Sequence, residues 1–229
     1  FQQLNREIKD ATGDVSILDC CGQRFIGCGL KDKNITIYGT PGNALGAYLD
    51  GSVIVVHGNA QDAVGDTMNA GKIIIHGDAG DALGYAMRGG SIFVRGDAGY
   101  RTGIHMKQYK EKKPVIVVGG RVGSFLGEYL AGGLIVVLGL GAEDVPVGNF
   151  TGTGMHGGRI FIRTDKEPKG LPAQVTVEPA SGDELREIQP VLAEFAAHFG
   201  MDAAQLGQDR YYVLKPNARN PYKQLYTAN

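Results

Sequence analysis

The feature of this sequence that most constrains its fold is a glycine repeat with a period of 19 residues. A first series of glycines keeps this spacing, apart from one step of 24 residues: Gly39, Gly58, Gly77, Gly96, Gly120 and Gly139. A second series follows the first by seven residues in five consecutive periods: Gly46, Gly65, Gly84, Gly103 and Gly127. A short apolar run, such as Ile35–Tyr38 or Val115–Val118, comes shortly before each glycine of the first series. Self-similarity of this kind is typical of solenoids, propellers and repeat arrays.

The content of each period indicates which repeat fold is present. Nineteen residues are too few for a propeller blade or a helix–turn–helix unit, and the Leu/Asn signature of leucine-rich repeats is absent. The apolar runs are β-branched and of strand length, and glycine at the corners permits positive φ or close backbone approach. Stacked coils pair equivalent strands in parallel, about 4.8 Å apart. The sequence therefore predicts an all-β solenoid, a right-handed parallel β-helix of about seven coils with glycine corners.

Composition and charge exclude several other classes of protein. The 36 glycines among 229 residues show no Gly-X-Y triplet and come with only 9 prolines, which excludes collagen. A hydrophobic content of 43% is too high for a glycine-rich disordered linker. The formal net charge of −1 and the lack of a basic run give no reason to expect nucleic acid or anionic lipid as a partner. Apolar runs such as Leu134–Leu138 are too short to span a membrane.

The cysteines indicate a reducing compartment. Cys20, Cys21 and Cys28 are an odd set without the four-ligand spacing of a zinc or iron–sulfur site, and we expect small buried side chains. They do not suggest a disulfide framework, so we expect a cytoplasmic protein. No signal peptide is visible in the polar segment Phe1–Asp10. Because the chain opens on Phe rather than Met, we expect its leading residues to be missing, processed or renumbered.

The repeat ends near residue 165, and the rest of the chain differs in composition. We expect residues 1–165 to form the β-helix, and residues 166–229 to form a linker, a helix and an arm that pack on it or beyond it. The step of 24 residues indicates a five-residue polar insertion within Ile104–Pro114, which should bulge outward from one coil.

The segment after the repeat carries clear signals for one helix. Ser181 and Glu184 form a capping box. Apolar residues follow at helical spacing as far as Phe199, and Gly200 stands where a helix C-cap is expected. The remainder, Asp202–Asn229, is predicted to be an extended arm with one short strand.

We find no set of residues that would carry catalysis, bind a cofactor or hold a metal. Gly119–Gly123 follows a strand, but the next segment is another corner of the repeat and not the helix that a dinucleotide site needs. Asp78 and Asp97 follow their period glycines, but Asn, Thr and Arg take the equivalent places elsewhere, so a calcium ladder is not expected. His57 and His76 should stack on neighbouring coils, next to an arginine that disfavours a metal ion.

Three residues are the candidates for contact with a partner: His105, Tyr109 and His156. They lie in two segments, 104–114 and 140–158, that we expect to break the repeat. Loops that leave a regular scaffold often carry its binding residues.

The stacked pattern resembles a known family. The run that carries the resemblance is, from Gly77, Gly-Asp-Ala-Gly-Asp-Ala-Leu-Gly-Tyr-Ala-Met-Arg-Gly-Gly-Ser-Ile-Phe-Val-Arg-Gly. It is similar to the GXGXG domain of glutamate synthase, the C-terminal right-handed β-helix of the large subunit. Three further segments look like the separately encoded versions of that domain: Arg101–Met106, Phe125–Gly133 and Gly152–Gly158.

The resemblance implies a scaffolding role without an active site on this chain. In glutamate synthase the glutaminase, the FMN site and the iron–sulfur cluster lie on other modules, so these would be partner chains here. Three alternatives stay open: the β-helical subunit of formylmethanofuran dehydrogenase, the β-helix subunit of methylamine–glutamate N-methyltransferase, and a binding module outside any enzyme. Assembly into a homo-oligomer is also open.

Overall fold

The computed structural model describes residues 1–217, within which ten strands form a single sheet. The strands are β1 Val15–Cys21, β2 Asn34–Thr40, β3 Asp50–His57, β4 Ala70–Ile75, β5 Ser91–Val94, β6 Val115–Val118, β7 Ala131–Val137, β8 Gly157–Arg163, β9 Val175–Pro179 and β10 Tyr211–Pro216. The helices of this region are α1 Gln2–Asp10, α2 Gly182–Phe199 and α3 Ala203–Gln208. Strands β1 to β8 pair in parallel, each with the next along the chain, which confirms the predicted β-solenoid.

A column of isoleucines runs through the interior, because residues one period apart are register partners. Ile54 pairs with Ile35 on one side and with Ile73 on the other. The same position in the later strands is again isoleucine: Ile92, Ile116, Ile135 and Ile160. All seven are at most 1% exposed. Since burial of an aliphatic side chain contributes about 1.5–3 kcal/mol, this column is a main source of stability for the stack.

The second glycine series packs against this isoleucine column. Gly84 has a φ of +67°, and a Cβ placed there would lie 2.5 Å from Cδ1 of Ile116. Gly46 is related in the same way to Ile73, at 2.6 Å. Glycine is required at these corners for two reasons: the backbone is left-handed, and the isoleucine leaves no room for a side chain.

The first glycine series makes room for a ladder of side-chain oxygens. Oδ1 of Asp78 accepts a hydrogen bond from the Asp97 amide at 2.8 Å, and Oδ1 of Asp97 accepts one from the Arg121 amide at 2.6 Å. A Cβ on Gly96 would collide with the Asp78 carboxylate. These carboxylates therefore join one coil to the next. Asp78 and Asp97, the candidates for a calcium ladder, act here as hydrogen-bond acceptors for backbone amides.

Helix α1 covers the N-terminal end of the solenoid interior. Ile8 is 2% exposed within the interior core, and Leu4 packs against that core. The sequence did not predict this helix, because the segment looks only polar: its apolar face is reduced to a few residues among charged ones.

Helix α2 covers the outer face of the sheet over its C-terminal half. Ile188, Leu192 and Phe195 are buried against an outward-facing column of the strands: Ile74, Phe93, Val117, Val136 and Phe161. The predicted capping box is confirmed, since Ser181 and Glu184 bond each other's backbone, and Gly200 ends the helix in the left-handed conformation.

Strand β10 returns antiparallel along β8, and β9 pairs with its other edge. The sequence predicted an extended arm from Asp202 onward, but residues Ala203–Gln208 form helix α3, with Asp202 as its N-cap. The prediction was wrong here because Leu206 supplies a buried anchor, and Tyr211 donates a hydrogen bond to its carbonyl at 2.9 Å. The end of the predicted arm, residues 218–229, lies outside the described residues.

Candidate partner-binding surface

Each coil turns through a corner that contains three residues in the left-handed conformation: a glycine at the centre and the residues two positions before and after it. From coil to coil, the two flanking residues stack into two columns. The first left-handed column consists of Phe25, Ala44, Ala63, Ala82, Arg101, Phe125 and Phe150. The second left-handed column consists of Gly29, Tyr48, Thr67, Ala86, His105, Tyr129 and Gly154. Their φ values lie between +50° and +69°.

Backbone hydrogen bonds between coils impose this geometry. The Phe125 amide donates to the Asn149 carbonyl at 2.9 Å, and the Tyr129 amide donates to the Thr153 carbonyl at 2.8 Å. Equivalent bonds occur at the earlier coils, so a residue in either column is held at positive φ whatever its side chain. A bulky residue in this conformation costs about 1–2 kcal/mol.

The first left-handed column ends in a stack of large side chains. Cζ of Arg101 lies 5.3 Å from the ring centroid of Phe125. The rings of Phe125 and Phe150 are stacked with centroids 5.0 Å apart. Phe150 is 55% exposed although it is fully apolar. Nε of Arg101 also donates to the buried carboxylate of Glu128 at 3.0 Å, so the guanidinium has a fixed position.

The second left-handed column carries a parallel stack four residues further along the corner. The His105 and Tyr129 rings are stacked at a centroid distance of 5.0 Å, and Tyr85 meets His105 edge-on at 6.0 Å. The next coil has Gly154 at this position, and a Cβ there would collide with the Tyr129 ring.

A cleft opens beside this second stack. It has a volume of about 250 Å³ and is lined by His105, Lys107, Tyr129, Ala131 and His156. The lining contains one lysine, two histidines and no carboxylate. Nδ1 of His156 lies 3.1 Å from the Gly154 carbonyl oxygen, which orients its ring. The cleft therefore suits an anionic or hydrogen-bond-accepting group.

Two of the three predicted contact residues meet in this cleft, His105 and His156. The sequence suggested that His105 lies in a segment that breaks the repeat, and this was wrong. His105 occupies the second left-handed column, and the insertion begins after it. Tyr109 lies on the insertion, which closes on itself through paired backbone bonds between Tyr109 and Lys112. Tyr109 is 55% exposed and does not line the cleft.

Four residues of the corner were missed by sequence reasoning: Arg101, Phe125, Tyr129 and Phe150. The signal was present, since they are large side chains at positions where Ala44, Ala63 and Ala82, or Ala86, stand in other periods. This replacement of alanine by large side chains becomes visible only when the coils are aligned at the corner and not at the strands.

The histidine pair on the sheet stacks as predicted. The rings of His57 and His76 have centroids 4.7 Å apart, and the ring of Tyr38 continues the stack below His57. Burial, and then the positive charges of neighbouring groups, lower the pKa of His76. Within residues 1–217 no group of three or more His, Cys, Asp or Glu side chains could hold a metal ion.

The cysteines are less uniform than predicted. Cys20 is buried and Cys28 is half-buried, and burial raises the pKa of both thiols. Cys21 is exposed, because β1 is the edge of the sheet and a bulge before Cys20 turns its neighbour outward.

The helices of residues 1–217 are all too short or too polar to cross a lipid bilayer. Its parallel strands and glycine corners define the chain as a β-solenoid protein. It belongs to the GXGXG motif family, whose model matches residues 6–216.

Known proteins similar to it include one relative in sequence and one solved structure. The uncharacterized protein MJ1350 of Methanocaldococcus jannaschii is 39% identical over 244 aligned residues, which cover all of this chain and 94% of that protein. A chain of the formyltransferase/hydrolase complex FhcABCD from Methylorubrum extorquens, solved in complex with methylofuran, has the same fold, with a TM-score of 0.58 at 22% identity. That match covers 86% of this chain and 72% of the other.

Proposed function

We propose that this chain is a scaffolding subunit without an active site in a multi-subunit enzyme, specifically a glutamate synthase-type complex. In such a complex, a glutaminase chain releases ammonia from glutamine, and an FMN-containing chain uses it to convert 2-oxoglutarate into glutamate. FMN and the iron–sulfur cluster would reside on those partners, and this chain would hold no cofactor. Membership of the GXGXG motif family supports this proposal.

The main support for the scaffolding role is that the repeating polar side chains are engaged in hydrogen bonds between coils. The recurrent carboxylates of the corners accept amide hydrogens from the next coil: Asp62 from Asp81 at 2.9 Å, and Asp81 from Tyr100 at 2.8 Å. Groups committed to holding coils together are poor candidates for acid–base chemistry, which needs an accessible proton acceptor. The exposed aromatic side chains at the corner are typical of a protein-binding surface.

A formyl-transfer complex is the second candidate. The likeness to a chain of the formyltransferase/hydrolase complex favours it, and it fits the alternative of a role like that of the β-helical subunit of formylmethanofuran dehydrogenase. The β-helix subunit of methylamine–glutamate N-methyltransferase and a binding module outside any enzyme have no specific observation in their favour.

Co-expression distinguishes these candidates. The tagged chain is produced with the glutaminase and FMN-containing synthase chains of the same genome, and separately with its formyltransferase/hydrolase chains. We expect a stoichiometric complex with flavin absorbance in the first case. A complex only in the second case would establish the second candidate, and a chain that stays alone in both would contradict a subunit role.

A further inference from the structure

The first left-handed column has large side chains only at its two ends. Ala44, Ala63 and Ala82 occupy the middle. Phe25 stands at the N-terminal end, and Arg101, Phe125 and Phe150 stand at the C-terminal end. All seven positions share the same strained backbone, so the fold itself is satisfied by alanine there. Where such a bulky side chain also stacks on a further exposed ring, as Phe125 does on Phe150, a role beyond folding is indicated.

The N-terminal end shows what a phenylalanine at this position requires. The ring of Phe1 lies against Phe25 at a centroid distance of 5.0 Å, and Cζ of Arg24 lies 5.4 Å from the Phe25 centroid. The N-terminal arrangement thus has three parts: the cation of Arg24, the ring of Phe25 in the column, and the ring of Phe1, which covers Phe25 from outside the coils.

The C-terminal end repeats two of these parts. Arg101 lies over Phe125, and Phe125 stacks on Phe150, the last member of the column. Phe150 itself is 55% exposed. By analogy with Phe25, its outer face suits an apolar side chain that comes from outside the solenoid.

Charge adds a second requirement for what binds here. The cleft beside Tyr129 has Lys107 and two histidines in its lining and no carboxylate. A partner that places an Asp or Glu side chain in this cleft would gain a charge-assisted hydrogen bond. One partner could therefore place an apolar side chain on the stack and an acidic side chain in the cleft at the same time.

We infer that Arg101, His105, Phe125, Tyr129 and Phe150, with the cleft lined by Lys107 and His156, form the docking surface for another protein of the complex. That partner stacks an aromatic or large aliphatic side chain on Phe150 and places a carboxylate in the cleft. This inference rests on the proposed function, because it takes the occupant to be a catalytic subunit and not a second copy of this chain.

The test compares equivalent tyrosines on different coils. Tyr129→Ala and Phe150→Ala alter the docking surface, while Tyr48→Ala removes a tyrosine that is 54% exposed in the same column as Tyr129 but on an earlier coil. Affinity for the co-expressed glutaminase and FMN-containing chains, and for the formyltransferase/hydrolase chains, is measured for each purified full-length variant. We expect Tyr129→Ala and Phe150→Ala to weaken binding about tenfold or more, as hot-spot truncations do, and Tyr48→Ala to change it less than about twofold.

A charge reversal tests the cleft separately. Lys107→Glu should weaken binding and reduce its salt dependence, whereas Lys110→Glu, on the insertion and outside the cleft lining, should do neither. Circular dichroism and the Tm of each variant establish that the solenoid is intact.

The outcomes distinguish a failure of the docking surface from a failure of the subunit role. If the wild-type chain binds one set of subunits and all variants bind equally well, the docking surface is wrong while the subunit role stands. If the wild-type chain binds neither set, the proposed function fails, and the docking surface with it. If Phe150→Ala instead abolishes self-association of the chain in sedimentation measurements, the occupant is a second copy, which overturns the assignment to another subunit.

Discussion

The side-chain oxygen Oδ1 of Asn5 accepts a hydrogen bond from the Gly27 amide at 2.8 Å. In later coils the equivalent glycine amide donates to a backbone carbonyl of the preceding coil, as Gly46 does to Ile26 at 2.8 Å. Asn5 thus replaces the carbonyl of a coil, and its Nδ2 donates to the Phe25 carbonyl at 2.7 Å. One side chain attaches α1 to the first coil and satisfies the backbone at the end of the stack.

Replacing this amide should loosen the N-terminal end. Asn5→Ala leaves the Gly27 amide without its acceptor, and we expect it to lower the free energy of unfolding by about 1–3 kcal/mol. Gln3→Ala, on the exposed face of α1, should change it by less than about 0.5 kcal/mol. Urea denaturation of the two variants measures the difference, and equal stabilities would show that α1 is not coupled to the first coil.

Two substitutions within one corner should act in opposite directions. Ala82 has a φ of +56°, so Ala82→Gly relieves a left-handed strain of about 1–2 kcal/mol at an entropic cost of about 0.5–1 kcal/mol, and should be mildly stabilising. Gly84→Ala places a methyl group 2.5 Å from Cδ1 of Ile116 and should be destabilising by about 2 kcal/mol or more. Thermal denaturation should give a higher Tm for the first variant and a lower Tm for the second; the same sign for both would contradict the account of the corner.

The stability that the carboxylate ladder gives to the fold should depend on its hydrogen-bond acceptors and not on a metal ion. Asp78→Asn keeps an oxygen for the Asp97 amide, as Asn59 does for the Asp78 amide at 2.9 Å in the coil before. We expect this variant to be within about 0.5 kcal/mol of the wild type, and Asp78→Ala to lose about 1 kcal/mol. Tm should be the same in EDTA and in calcium, and a calcium-dependent rise in Tm would overturn this view of the ladder.

The capping box of α2 should give a defined pH dependence. Burial of Glu184 opposes its ionisation, but hydrogen bonds from Lys215 and Ser181 prevail and lower its pKa to about 2, from an ordinary value of 4.5. Because the folded-state pKa is the lower one, this contribution to stability is complete above pH 4.5 and is lost as the pH falls towards 2. Glu184→Gln should be less stable than the wild type by about 1–2 kcal/mol at pH 7.

The difference in free energy of unfolding between Glu184→Gln and the wild type should narrow as the pH is lowered from 4.5 towards 2. Denaturant titrations at several pH values measure this trend. Asp183→Asn, which removes an exposed carboxylate from the same turn of α2 without touching the capping box, serves as a matched control. A gap between Glu184→Gln and the wild type that stays constant with pH would show that the carboxylate charge does not stabilise the cap.

Much of the fold could be predicted because the repeat converts sequence spacing into register. Ile54 and Ile73 are 19 residues apart and are register partners, so locating the glycines located the strands. Helix α1 could not be predicted in this way, because its role depends on Asn5 fitting one end of the stack and not on any periodic pattern. Helix α3 likewise depends on tertiary contacts, namely the burial of Leu206 and the hydrogen bond that its carbonyl accepts from Tyr211.

The candidate surface was predicted only in part for a similar reason. His105 and His156 were selected as residues outside the repeat, yet His105 belongs to the repeating corner. What marks the corner is a substitution of Ala by Phe or Arg at equivalent positions, and its importance comes from the positive φ. That angle is visible only once the backbone is known, because the glycines two residues further along, and not these positions, draw attention in the sequence.

We expect this chain to support catalysis by other subunits without performing it. The most direct measurement is glutamine-dependent formation of glutamate from 2-oxoglutarate by the glutaminase and FMN-containing chains, with and without this chain. We predict that the rate falls about tenfold or more without it, as expected when positioning of the active sites is lost, and that the purified chain shows neither flavin absorbance nor glutamine hydrolysis. Glutamine turnover by the chain alone, or a full rate without it, would contradict the account.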